Sequence, residues 1–198
     1  MNVDGEIDPL ETRSATSPGG GDASLDRELL ERTAAGDADA FHRLVDRHAD
    51  RLYRLATSLV GNAVDAEDVL QEAFAGAFRG AGKFEGRSSV KSWLTRIVVT
   101  QAAKFWRSRH GKRDSELQDQ AASGSGGFGS VDAKLDLQSC LKQLTEEHRQ
   151  VLVLRELDGM GYEEMAVVLG VPRGTIESRL FRARAELKKR LKGYLTED

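Results

Sequence analysis

Three carboxylates, Asp65, Asp68 and Glu72, fall at i, i+3 and i+7 in the stretch DAEDVLQEAF, with Gln71 beside them. On a helix that spacing places all three on one face. Grouped carboxylates suit acid–base catalysis or a metal ion. No histidine, cysteine or glycine-rich phosphate loop accompanies them in that stretch. A solvated helix face is the plain alternative. A helical hydrolase built on the three would need an aligned pocket and a metal or a base. Cys140 is the sole cysteine, which excludes an intrachain disulfide and a cysteine-based zinc site. The four histidines, His42, His48, His110 and His148, are scattered and form no HExxH. No metal, cofactor or catalytic residue is therefore expected. Gly124, Gly126 and Gly129 spell GxGxxG. No strand precedes them and no amphipathic helix opens on them, so a linker is expected, not a pyrophosphate cradle.

The cations carry more. The net charge of −3 hides strong segregation. Between residues 83 and 113, Lys83, Arg87, Lys91, Arg96, Lys104, Arg107, Arg109, Lys112 and Arg113 face only Glu85. The last helix, around Arg179, Arg182, Arg184, Lys188 and Lys189, is basic again, whereas the first forty residues are acidic. Two separate basic patches predict two contacts with a polyanion. Two solvated helix faces are the alternative.

The elements that must position these residues read as helices. Hydrophobic residues make up 39% and charged residues 31%, which suits a helix-rich globular chain. Residues 1–23 read as a disordered acidic tail. Ser24 or Asp26 can cap a first helix. Phe41, Leu44, Val45, His48, Leu52, Leu55 and Leu59 recur at helical spacing, and Gly61-Asn62 ends that helix. Asp65 opens the next, with Val69, Leu70, Ala73, Phe74, Ala77 and Phe78 inside. A loop over 80–89 precedes a helix whose inner face holds Trp93, Leu94, Ile97, Thr100 or Gln101, and Phe105. Trp93 and Phe105 read as core residues, and Trp106 can flank a DNA track. Residues 111–131 read as a flexible linker. Helices resume at 132, and Thr145 starts one of them.

The stretch YEEMAVVLGVPRGTIESRLFRARAELKKRL, residues 162–191, reads as two helices with a turn at Gly170-Val171-Pro172. Pro172 suits a first helical position. Met165, Ala166 and Leu169 face Ile176, Leu180, Ala183, Leu187 and Leu191. This is helix-turn-helix chemistry, in which the second helix enters the major groove of DNA. An ordinary amphipathic hairpin is the alternative.

These residues resemble region 4 of the extracytoplasmic-function (ECF) sigma factors, and so does the preceding LTEEHRQVLVLRELDG. The segment from Ala35 to Arg79 is similar to region 2 of the same family. KFEGRSSVKSWLTRIVVTQAAKFWRSR resembles the part that opens and reads the −10 element. The resemblance covers about 25–193 apart from the linker. It implies an all-α chain of two small helical domains: region 2 over 24–110 and the region 4 helix-turn-helix over 132–195.

For the −35 element, the resemblance implies Glu177, Ser178, Phe181 and Arg182 at base edges, with Arg173, Thr175 and Arg179 on the backbone. The family usually has Lys or Arg where this chain has Glu177. A carboxylate there can accept from cytosine N4, which predicts a shifted −35 preference. For the −10 strand it implies Phe84, Arg87, Ser88, Lys91, Arg96, Lys104 and Arg107, with 84–92 cupping a flipped base beside a basic track. Thr100 and Lys104 stand where the family often has Asn, and Asp or Asn, so the −10 sequence is open. Asp65, Asp68, Gln71 and Glu72 would dock on the polymerase clamp.

The function implied is a non-catalytic initiation factor. It would bind core RNA polymerase at the β′ clamp and β flap, bind promoter DNA, and answer to an anti-sigma factor. No secretory signal and no apolar stretch long enough for a bilayer is present, so a cytoplasmic protein without membrane insertion is expected. A stand-alone helix-turn-helix regulator is the competing reading.

Overall fold

The computed structural model describes the backbone over residues 20–113 and 137–195, with side chains over 22–109 and 137–191. Among these residues the regular elements are all helical. The acidic stretch before residue 20, the GxGxxG run and the rest of the expected linker lie outside the described residues.

Helix α1 runs Gly20–Ala34 and α2 runs Ala38–Val60. The first helix thus begins inside the stretch read as tail. Neither Ser24 nor Asp26 caps it. Asp26 is instead buried within α1, where it accepts from Arg47 (2.8 Å) and bonds His48 (2.8 Å), tying α1 to α2. Asp37 caps α2 by accepting from the Ala40 amide at 3.0 Å. Gly61 closes it in the left-handed region, at φ +90°. Leu44, His48, Leu52, Leu55 and Leu59 form the expected buried seam.

Helix α3, Ala63–Gly80, starts two residues earlier than read from the sequence, because Asn62 supplies the cap. A short 3₁₀ turn at Ala81–Lys83 leads into the loop before α4, Val90–Arg113. Gly111 does not end that helix, since one internal glycine costs only about 1 kcal/mol. The inner face of α4 differs from the expected one. Leu94, Thr95, Val98, Val99, Ala102 and Ala103 are buried, Trp93, Ile97 and Phe105 are partly buried, and Thr100 is exposed. Helix α4 is packed by α1, α2 and α3 and also by the helix Tyr162–Leu169 of the second module, so its buried arc is wider than one stripe.

In the second described stretch, residues 137–142 form α5. Thr145 caps α6, Glu146–Leu152, which runs on as a π-helical turn at Val153–Leu157. Helix α7 spans Tyr162–Leu169 and α8 spans Arg173–Leu195. Gly170 joins them at φ +66°. Met165, Val168, Ile176, Leu180 and Ala183 are buried between them and α6. The two modules touch. Helix α7 packs on α4, the π-helical turn packs on α2, and one buried cluster contains core residues of both.

Candidate nucleic-acid interface

With Ile176, Leu180 and Ala183 inside, the residues between them on α8 must point out. Arg173, Glu177, Ser178, Phe181 and Arg182 are exposed, and Thr175 and Arg179 are half-buried. Phe181 is 76% exposed, which gains nothing for an isolated helix and suits contact with a thymine methyl or sugar edge. The −35 set expected from the sequence therefore shares one accessible surface.

The arginines of that surface are not bare. Arg173 Nε donates to Glu177 Oε1 at 2.9 Å, and its Nη1 reaches Glu163. These carboxylates, Glu177 foremost, raise the Arg173 pKa. Arg179 pairs with Glu147 at 2.6 Å and Arg184 with Glu156 at 2.6 Å. Arg190 and His148 both bond Glu186 and hold its carboxyl below the usual range. Glu177 thus faces Arg173 before it faces any base. Arg182, Lys188 and Lys189 carry no ion pair among the described residues.

In the first module, Arg96, Lys104 and Arg107 fall at i, i+8 and i+11 on α4, with exposed Thr100 in the same row. That makes one basic track. Lys91 lies off this row, on the side where α2 packs, and its carbonyl accepts from Arg51 Nη2 at 3.5 Å. The loop before α4 is held open by Gly86 at φ +70° and by Arg27, whose Nη2 donates to the Gly86 carbonyl at 3.5 Å. Arg27, Leu30, Phe84 and Gly86 line a recess of about 340 Å³ between loop and α1. Phe84 packs against Trp93, with centroids 5.4 Å apart, so one of its faces belongs to the core. Arg87 is exposed and pairs with Glu85, and Ser88 is half-buried.

On α3, Asp68, Gln71 and Glu72 are exposed together, as the spacing requires. Asp65 parts from them. It stands three residues after the Asn62 cap, which bonds both its amide and its carboxylate, and it also pairs with Arg109. Its amide is the one Asn62 caps, and its carboxylate braces Asn62 and ties α3 to α4 through Arg109.

Sequence reasoning missed a third set. Arg51 Nη1 donates to both carboxylate oxygens of Asp158, at 2.7 and 2.9 Å, and to Thr95 Oγ1 at 3.0 Å. Ser92 Oγ donates to Glu164 Oε1 at 2.6 Å. The Arg149 guanidinium lies 4.0 Å from the Trp106 ring centroid, and the Trp106 indole N–H donates to the Leu59 carbonyl at 3.0 Å. Trp106 therefore bridges the modules and does not flank the basic track. No local pattern announces pairs so distant in sequence.

Fold and site define an all-helical DNA-binding chain in which a helix-turn-helix accompanies a second basic module. Residues 44–111 match the family model for Sigma-70 region 2, and residues 134–187 match that for Sigma-70, region 4. The ECF RNA polymerase sigma factor SigM of Mycobacterium tuberculosis is 37% identical over 94% of this chain and 94% of its own length. The solved structure of CnrH in complex with the cytosolic domain of CnrY superposes with a TM-score of 0.66 at 30% identity, over 85% of this chain and 98% of that one. The sigma factor RpoE in complex with the anti-sigma factor NepR from Bartonella quintana gives a TM-score of 0.63 at 28% identity, over 77% and 96%. This chain belongs to the ECF group of the sigma-70 family, the sigma factors of RNA polymerase.

Proposed function

We propose that Asp68, Gln71 and Glu72 on α3 dock on the basic clamp of core RNA polymerase. The acidic, amide-bearing face complements a basic partner, and Asp65 braces the start of that helix through Asn62 and Arg109. The helix-turn-helix module, residues 132–195, also meets the β flap and reads the −35 duplex through α8. Arg173, Thr175 and Arg179 hold the backbone there, while Glu177, Ser178, Phe181 and Arg182 meet the bases. The region 2 module, residues 24–110, takes the melted −10 strand. Phe84, Arg87, Ser88 and Lys91 cup a base, and Arg96, Lys104 and Arg107 track the phosphates. The chain performs no chemistry itself, works in the cytoplasm and is held in check by an anti-sigma factor. RpoE and its anti-sigma partner NepR support that last element.

The single observation that carries the reading is two exposed basic surfaces on separate modules of one chain, one of them on the second helix of a helix-turn-helix. Transcription in vitro with core polymerase and a random promoter library tests it. Enrichment of paired −35 and −10 sequences is the expected result. Tight, sequence-specific duplex binding without polymerase, and no transcription with it, would instead favour a stand-alone regulator.

A further inference from the structure

Helices α2 and α4 present a polar surface on which the chain's own helix-turn-helix module sits. Its centre is Arg51, whose side chain is 20% exposed and which holds Asp158, 4% exposed. The same guanidinium bonds Thr95, which is fully buried, so the pair is sheltered and geometrically fixed. To one side, Glu164 of α7 accepts from Ser92, whose own amide donates to Ser89 Oγ at 3.0 Å in the first turn of α4. To the other side Arg149, 3% exposed, stacks on Trp106. At the far end the stem of Lys142 crosses Gly61 so closely that a Cβ there would stand 2.0 Å from it.

This surface differs from an ordinary core in what it leaves unsatisfied. Arg51 Nε and Arg149 Nη1 are buried without hydrogen-bond partners. Burial also pushes the Arg149 guanidinium down to about 10. Buried charges cost desolvation that a pair recovers only in part, and orphan donors recover none. The contact is specific, because its partners match in charge and shape. It is also releasable, because water would satisfy the orphans on opening.

The contact lies at a telling place. Ser92, in the first turn of α4, belongs to the 84–92 stretch assigned to cup the −10 base, and Glu164 of the second module accepts from its hydroxyl. The basic track of Arg96, Lys104 and Arg107 remains exposed, as do Asp68, Gln71 and Glu72 on α3.

We propose that Arg51–Asp158, Ser92–Glu164 and Trp106–Arg149 form an intrachain latch that holds the unbound chain closed, leaves its polymerase-docking face open, and must release before the −10 loop and α8 can engage DNA together. The consequence for promoter DNA rests on the functional reading above; the closure itself does not. A closed population lowers apparent affinity by the fraction of chain that is open. Polymerase therefore meets the closed chain first, and DNA reading follows opening.

The test compares the full chain with Asp158→Arg, Arg51→Asp and the double exchange by small-angle scattering, without polymerase or DNA. Terminal segments are common to all four, so differences report module separation. Both single variants are expected to expand, with a radius of gyration larger by roughly a third as two compact bodies part. The double exchange, which has the wild-type net charge, is expected to return to the compact value. A variant that merely misfolds would not be rescued by the second exchange. A wild-type chain as expanded as the single variants would overturn the latch, and so would a double exchange that stays expanded.

Transcription with core polymerase supplies the second readout. The two single variants change net charge in opposite directions, so direct effects on DNA affinity oppose each other while loss of the latch acts alike. Both are expected to reach half-maximal initiation at a lower concentration of factor, by roughly three-fold or more. Opposite shifts would overturn the link to DNA. Failure of all four chains to initiate, with the scattering result intact, would remove the functional reading and leave the latch standing.

Discussion

At the scale of single residues, His48 and Glu177 carry roles their spacing did not announce. His48 sits in the apolar seam of α2, bonded to buried Asp26. Burial lowers its pKa, against the raising effect of Asp26, while Arg51 and Arg47 lower it further. A histidine whose folded pKa lies below its unfolded value binds fewer protons folded than unfolded between the two values. Stability therefore falls as pH drops through about 6.5 toward the folded pKa. Thermal melts from pH 7.5 to 5 should show that decline, and His48→Gln should flatten it. An unchanged slope would place the titration elsewhere. Glu177 was expected to accept from a base, yet in the unbound chain it holds Arg173. Its substitution thus acts at one base directly or moves the Arg173 fork. In a promoter-library selection, Glu177→Lys should change the preferred −35 base by about 1–3 kcal/mol of discrimination, roughly five-fold or more. An unchanged preference would remove Glu177 from the reading set.

At the scale of elements, the helix-turn-helix depends on a turn and a seam. Gly170 adopts φ +66°, where a side chain costs about 1–2 kcal/mol, so Gly170→Ala should lower stability by that amount while keeping the fold. Ile176 is fully buried, and Ile176→Ala should cost about 2–5 kcal/mol in denaturant unfolding. Loss of α8 from its seat should abolish −35 recognition before −10 recognition. A cost near zero for Ile176→Ala would mean that α8 is not packed as described. Turn and seam were both legible, because Gly-Val-Pro punctuates and the apolar spacing of 3 and 4 is unambiguous. The inner face of α4 was less legible. Its VV pair and Thr95 are buried because neighbouring helices crowd two sides of it, and no helix reports in its own sequence how many neighbours it has.

At the scale of the whole molecule, charge is sorted into two exposed basic rows and an acidic face on α3. Each phosphate contact contributes counterion release, so it sets salt dependence without setting sequence. Arg107→Ala and Lys104→Ala should weaken promoter complexes about equally for all −10 sequences. Each should reduce the slope of log affinity against log salt by about 1. A change confined to one −10 sequence would instead make that side chain a base reader. The basic rows were visible in the sequence as runs of cations. Their division was not: Lys91 belongs to the run, yet the helical period sets it off the row of Arg96, Lys104 and Arg107.

What the sequence determined by itself is whatever depends on neighbours a few residues apart: the helices, the turn at Gly170, the exposed faces of α3 and α8, and through them the family. Those features follow from backbone periodicity and capping, which are local. Only the tertiary structure decided which charges meet. Asp65 met Asn62 and Arg109, Glu177 took Arg173, and Arg51 found Asp158 across 107 residues of chain. A charge is long-ranged and nonspecific in its attraction, so its partner is chosen by packing, and packing is settled only when helices distant in sequence come together.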